Sequence, residues 1–183
     1  MALFITDSNN VLGKYVEEAG QYNVKVANSS TTKNSNSGKP MLVLDYEVVD
    51  GPYKGGLIRY DNMVWDDSDQ SHEDMSIRRF NTFTSAMGVP DGVKVESLQQ
   101  LLSTAIGHEL SVVVDWQQAQ NGKWYLTVQR QAKVLDGGSK PNGKKRPEEG
   151  TANNNNGFGG NNFANQQQPD NNQGAQDLND VPF

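Results

Sequence analysis

Apolar residues recur at strand and helix spacings as far as Leu135 and then almost disappear, and no other feature limits the possible folds of this 183-residue chain so strongly. A segment without apolar surface to bury cannot offset the conformational entropy lost on ordering. The hydrophobic fraction of 34%, low for a globular protein, is therefore unevenly spread and reflects the tail. The break predicts one compact domain over residues 1–135 and a disordered Gly/Asn/Gln-rich linker over 136–176. A short tip over 177–183 follows, in which apolar residues return.

Within the domain the spacing of apolar residues marks the elements. Tyr22, Val24 and Val26 alternate with Asn23 and Lys25, the pattern of a half-buried strand. The polar stretch NSSTTKNSNSGKP, carrying Lys33 and Lys39, reads as a loop. Leu42, Leu44, Tyr46 and Val48 share one face of a second strand, which places Asp45 and Glu47 on the outward face. DGPYKGG at 50–56 is a turn, and LIRYDNMVW at 57–65 is the returning strand. Ser71 with Asp74 approximates a capping box, and Ile77, Phe80, Phe83 and Met87 follow at helical spacing until Gly88 and Pro90. Ser97 with Gln100 starts a second, short helix whose apolar stripe is Leu98, Leu101, Leu102 and Ala105. Two further strands, over 109–118 and 124–135, are joined by an Asn121-Gly122 turn. In the last of them Trp124, Leu126, Val128, Ala132 and Val134 face inward and Arg130 interrupts the series. Five short strands with helix between the third and fourth predict a mainly β fold. The expected architecture is an OB-fold-like five-stranded barrel with a helical insertion between strands 3 and 4.

Composition narrows the chemistry. The chain has no cysteine, which excludes disulfides, thiolate metal sites and cysteine nucleophiles. The N-terminus lacks a basic segment followed by a long apolar one, and no run approaches the ~18 apolar residues of a membrane span. The expected location is cytoplasmic. His72 and His108 stand in no metal-binding spacing. The acidic run DDSDQSHED at 66–74 copies the alternating start of a calcium loop, but His72 falls where glycine is required and Arg78 where glutamate is required. A solvated loop feeding negative charge to a helix N-terminus explains the same residues. No nucleophile elbow, Walker loop or dinucleotide fingerprint is present, so neither catalysis nor a cofactor is expected.

Single-strand binding needs aromatic faces for bases and cations along the phosphate path. Tyr53 precedes Lys54, Arg59 precedes Tyr60 and Lys123 precedes Trp124. With Lys33 and Lys39 in the long loop, and Trp65, they form the candidate ssDNA-binding set. Trp116 and Trp124 share the parity of the apolar face, which favours a core position over a stacking platform, and Tyr22 and Tyr46 are assigned to the core. The net charge of −6 argues against capture of a polyanion by the overall field, although Asp170, Asp177 and Asp180 in the tail carry half of it.

The ending DLNDVPF resembles the acidic tip of bacterial and phage single-stranded DNA-binding proteins, in which acidic residues precede an apolar residue, Pro and a C-terminal Phe. The Gly/Asn/Gln/Pro stretch before it is similar to that family's tether. The GPYKGGLIRYDN turn and the NGKWYLTV hairpin resemble its phage-encoded cores. The resemblance implies a non-enzymatic protein of a bacterium or phage-infected cell that coats and protects ssDNA in replication, recombination and repair. It admits a homo-oligomer. It also implies that Asp177, Asp180, Val181, Pro182 and Phe183 dock replication and recombination proteins. Burial of Phe183 would supply about 1.5–3 kcal/mol, and each exposed aspartate about 1 kcal/mol or less. After association costs the total corresponds to roughly micromolar affinity, a loose and exchangeable grip. Three alternatives stand beside this expectation: an ssDNA-annealing protein, an OB-fold protein-interaction adapter, and a metal-dependent nuclease using the 66–74 cluster. The net acidity together with Asp45 and Glu47 keeps the adapter reading open.

Overall fold

Strand β1 (Glu18–Val26) is the element on which the sheet is organised. The computed structural model describes residues 15–148, all within a compact unit spanning Met1–Thr151. After β1 come β2 (Thr31–Asn34), β3 (Pro40–Val48), β4 (Leu57–Val64), α1 (Gln70–Ala86), α2 (Leu98–Ala105), β5 (Glu109–Gln118), β6 (Trp124–Ala132) and β7 (Lys140–Lys145). The seven strands form one sheet in the order β2-β3-β1-β5-β6, with β4 on β3 and β7 on β1, and every ladder is antiparallel. One edge of β1 pairs with β5 from Gly20 to Lys25. Its other edge is divided, Glu18–Gln21 going to β7 and Val24–Val26 to β3.

The apolar alternation read from the sequence becomes the core. Tyr22, Val24 and Val26 of β1, Leu42, Leu44, Tyr46 and Val48 of β3, and Leu110, Val112 and Val114 of β5 are buried together. Phe80, Phe83 and Ala86 of α1 and Leu101, Leu102 and Ala105 of α2 cover them. Each large side chain buried in this way contributes about 1.5–3 kcal/mol. The N-cap of α1 is Asp69 and not Ser71: its carboxylate accepts the His72 N–H at 3.0 Å, and the His72 ring lies 2.6 Å from its second oxygen. Ser97 caps α2 as its spacing requires, accepting the Gln100 N–H at 3.1 Å.

Two strands exceed the expected five. β2 lies inside the stretch assigned to a loop and pairs with β3 at the sheet margin. Its residues are half-buried or exposed, so no apolar alternation betrays it. β7 lies beyond Leu135, in the stretch assigned to the disordered linker, so the folded chain runs past that boundary. Hydrogen bonds hold it there in place of apolar burial. Buried Asn23 donates to Asp50 Oδ2 and to the Leu135 carbonyl, each at 2.9 Å, and its Oδ1 accepts the Leu135 N–H at 2.8 Å. Asp50 Oδ1 in turn accepts the Ser139 N–H at 3.0 Å and the Ser139 hydroxyl, while Ser139 Oγ accepts the Asn23 N–H at 2.8 Å. The linker from residue 149 onward and the 177–183 tip lie outside the described residues.

The sheet remains open. No ladder joins β4 to β6 among the described residues, and side chains bridge the seam between them. Asp61 Oδ2 accepts Gln131 Nε2 at 2.7 Å and the Tyr46 hydroxyl at 2.8 Å. Both seam strands are bulged: Arg59 and Tyr60 oppose Asp45 alone, and Gln129 is inserted opposite the step from Val113 to Val114. The second bulge reverses the parity of β6. Gln131 turns inward opposite Val112, Arg130 turns out, and Val134 is exposed, in contrast to the expected inward series.

Gly20 permits β7 to cross β1. Its φ is +148°, and a Cβ there would stand 2.4 Å from the Lys140 carbonyl oxygen and 2.8 Å from the Pro141 Cα. Gly20→Ala is expected to lower stability by about 1–3 kcal/mol, the usual range for forced overpacking. It should also speed trypsin cleavage at Lys144 and Lys145, as measured by urea unfolding and peptide mapping. Unchanged cleavage there would show that β7 does not depend on this contact.

Candidate nucleic-acid interface

The core ends at Val114, but the inner face of the β5–β6 hairpin continues. Beyond it Trp116 stands opposite Leu126 and Gln118 opposite Trp124. With no apolar layer left to cover them, these positions become the wall of a cleft. Trp116 is fixed in orientation: its indole N–H donates to the Lys144 carbonyl at 3.0 Å and its backbone N–H to Asp115 Oδ1 at 2.7 Å. The same Asp115 oxygen accepts Lys144 Nζ at 2.6 Å, which holds the Asp115 carboxyl below its ordinary range and ties β7 to the hairpin.

The β4 bulge builds the facing wall. Asp45 is only 2% exposed, so the outward, groove-opposing position expected for it is not what the structure shows. Its Oδ1 accepts the Tyr60 N–H at 3.1 Å, and its Oδ2 accepts Arg59 Nε at 3.2 Å and the Ser29 hydroxyl at 2.7 Å. A buried carboxylate with this many donors holds two consecutive residues in a conformation they would otherwise leave. Tyr60 is the cost: its φ is +64°, a left-handed backbone that is unfavourable by about 1–2 kcal/mol for a residue with a Cβ. The bulge turns the Tyr60 ring out to 64% exposure, with the Arg59 guanidinium 5.0 Å from its centre.

The walls enclose a cleft of about 810 Å³. Tyr15, Tyr60, Trp116, Trp124 and Tyr125 supply its aromatic rings, and Arg59, Lys145 and Arg146 supply its cations. Tyr15 is 85% and Tyr125 46% exposed, so these faces are open to a ligand. Glu17 is the one carboxylate among the lining residues.

Of the residues singled out from sequence, Arg59, Tyr60 and Trp124 converge on the cleft, and Lys123 sits beside Trp124 in the hairpin turn. The others lie elsewhere. Tyr53 packs edge-on against Tyr22 at 6.0 Å, and burial together with neighbouring Glu18 raises its hydroxyl pKa, so it is a flank of the core. Trp65 packs edge-on against Phe80 at 5.6 Å. Lys39 is paired with Asp66, Lys33 projects from β2, and Lys54 is exposed in the β3–β4 turn. The acidic run has structural work: Lys39 holds Asp66 far below its ordinary range, and Asp69 caps α1. Asp177, Asp180, Val181, Pro182 and Phe183 lie outside the described residues. Tyr15, Tyr125, Lys145 and Arg146 were not among the sequence candidates. The KKRP stretch carried the only signal for the last two, and it reads equally well as a charged hinge.

A second groove, of about 820 Å³, runs between α1, the α1–α2 connection and Trp65. Ile77, Val93 and Val95 line it with Asp91 and Glu96, and no Lys or Arg does. Similar volume with opposite charge decides between the two: a polyanion is attracted to the first and repelled by the second.

Residues 4–141 match the model of a family described as "Protein of unknown function (DUF669)". The matched span contains both walls of the cleft and stops within β7, before Lys145 and Arg146. No curated protein matches the chain.

Two outcomes test this arrangement. Asp45→Ala should cost about 1.5–3 kcal/mol by removing the charged acceptor shared by Ser29, Arg59 and Tyr60, whereas Tyr60→Gly should leave stability within about 1 kcal/mol, because relief of the left-handed strain offsets glycine's added chain entropy. Urea unfolding of both variants measures the contrast. The second outcome concerns Asp61, whose carboxyl pKa burial pushes up despite the bonds from Tyr46 and Gln131. A native pKa above the unfolded value means that ionisation opposes folding above the native pKa and has no effect below the unfolded one. Asp61→Asn keeps an acceptor for both donors, so it should stabilise the protein at neutral pH. The gain should fade as pH falls through the native pKa, seen as converging urea midpoints.

Proposed function

We propose that this chain, which belongs to the DUF669 family, is a single-stranded DNA-binding protein without catalytic activity. The observation that carries the reading is the cleft itself: five aromatic residues line it, with Arg59, Lys145 and Arg146 among them. Rings stack on bases of any sequence, and guanidinium and ammonium groups follow the phosphates, so this combination suits unpaired strands of mixed sequence. A base pair in a duplex has its faces covered by its neighbours and offers nothing to such platforms. The terminal resemblance tilts the choice of nucleic acid toward DNA.

The fold supports the same reading. β1, β3, β4, β5 and β6, with helix between β4 and β5, follow the strand order of an OB-fold, and β1 serves both sides of the sheet. We read the domain as an OB-like barrel whose β4–β6 closure is made by side chains, with β2 and β7 added at its margins. The tip at 177–183 would recruit replication and recombination proteins, a role that rests on its resemblance to the family of bacterial and phage single-strand binders. A protein-interaction adapter is the second reading, favoured by the apolar groove beside Trp65.

Titration of the full chain with labelled oligo-dT separates them. Trp124→Ala and Tyr60→Ala should each weaken binding by about 1–3 kcal/mol, roughly fivefold to a hundredfold. Lys33→Ala and Lys54→Ala, away from the cleft, should change it little. Removal of Val181, Pro182 and Phe183 should leave oligo-dT affinity intact and abolish partner capture. Wild-type affinity in both aromatic variants would sink the cleft as the binding site, and the absence of any salt-dependent oligo-dT binding would favour the adapter.

A further inference from the structure

Arg130, the residue that interrupts the apolar series of the last long strand, plays no part in the cleft. The Gln129 bulge turns it outward, beside the same seam that the cleft occupies. The cleft is lined by Leu57–Tyr60 of β4 and 124–127 of β6. Directly along those strands a shallow depression is lined by Asp61, Met63, Arg79, Thr82, Val128 and Arg130, among others. It shares Thr82 and Gln131 with a third depression, which adds Arg78 of α1 and Lys133 just beyond β6. Cleft and depressions thus follow one another down a single seam, from aromatic to cationic.

The charges at the far end are uncompensated. Arg78, Arg130 and Lys133 have no carboxylate within 4.0 Å among the described residues, and neither does Arg79, which approaches the Asn62 carbonyl at 3.5 Å. One acidic group, Asp61, lines the depressions with them, and Asp74 lies on the same helix as Arg78 and Arg79. Asp61, whose ionised form Arg79 favours, is already engaged by Tyr46 and Gln131, and Asp74, a turn before Arg78, accepts Gln70 Nε2 at 2.9 Å. Lys25, Lys39, Arg59 and Lys144 in contrast each hold a carboxylate, so they are less available to a ligand anion than the seam cations are. Arg78, Arg130 and Lys133, without a carboxylate within 4.0 Å, and Arg79 beside Asp61 put an excess of positive charge along these depressions, which attracts an anion.

We propose that the β4–β6 seam is a continuous track, in which the strand's phosphates leave the aromatic cleft and run onto Arg79, Arg130, Arg78 and Lys133. The ligand chemistry is a phosphodiester backbone, read without regard to sequence. The proposal rests on the single-strand reading above and extends its site from a stacking cleft to a path with two stages. Short strands use the first stage only, and longer strands use both.

The test compares labelled oligo-dT of about 4 and about 16 nucleotides, the span of site sizes for single domains of this kind, on the full chain. The variants are the triple Arg78→Ala, Arg130→Ala, Lys133→Ala and the single Arg130→Glu, which spare Arg79 and its support of Asp61. The short oligomer should bind both as it binds wild type. The long one should lose about tenfold or more on the triple variant, and its log–log salt slope should flatten by about 0.7 for each phosphate contact removed. Trp124→Ala, in contrast, should weaken both lengths. Wild-type binding of the long oligomer by both track variants, with an unchanged salt slope, overturns the track and leaves the cleft standing. Failure of wild type to bind either length removes the single-strand reading itself and the track with it.

Discussion

A single nine-residue strand must satisfy three partners, and the molecule follows from how it does so. β1 gives one edge to β5 and divides the other between β7 and β3. Because β3 carries β4 and β5 carries β6, one wall of the cleft is one strand removed from β1 and the other begins on its direct partner β5. The third partner, β7, crosses near Gly20 and supplies the Lys144 carbonyl that orients Trp116, then leads into Lys145 and Arg146. Sheet and cleft are therefore not separable features. Whatever displaces β1 from any partner also moves a wall, a cation or a ring.

The sequence disclosed what the hydrophobic effect controls and concealed what hydrogen bonds control. Tyr22, Leu44, Val112 and Phe83 advertise their burial by spacing, because a half-buried strand or helix has no other way to place apolar groups. β7 has almost no apolar residue to advertise. Asn23, Asp50 and Ser139 hold it through bonds between positions far apart in the chain, a pattern that no local period encodes. The cap of α1 went to Asp69 because its carboxylate reaches the His72 N–H, leaving Ser71 inside the first turn. Bulges were equally hidden. Strict alternation put Ala132 and Val134 inward, and the residue inserted in β6 changes which positions point where, while the residue inserted in β4 covers Asp45, which alternation had left exposed.

The candidate site was half legible for the same reason. Arg59, Tyr60 and Trp124 were recognisable as aromatics beside cations near turns, and the fold gathers them. Tyr53 and Lys54 have the same local signature, yet Tyr53 lies against Tyr22 at the margin of the core. Adjacency in sequence identifies side chains that are able to stack on a base, whereas tertiary structure decides whether their faces are free. Trp116 shows the converse. Its apolar parity is real, but the core stops at Val114, so the inner face it shares continues into open space as a wall.

Departures from local ideality cluster on one side of the molecule, and their distribution separates the cleft from the apolar groove. Tyr60 holds the only positive φ of a non-glycine residue among those described, and it lines the cleft. The Gly20 crossing brings β7 toward the cleft, and both bulges border the seam. None of these residues lines the groove beside Trp65, whose walls are a regular helix and its connection. Packing alone gives no reason to accept a left-handed tyrosine, a buried carboxylate to hold it and a pair of unladdered sheet edges. Each costs stability, and closing β4 onto β6 with backbone bonds would remove the exposed edges. What these departures share is the seam itself: they gather along the edge that carries the exposed rings and cations, and not along the regular helix of the apolar groove.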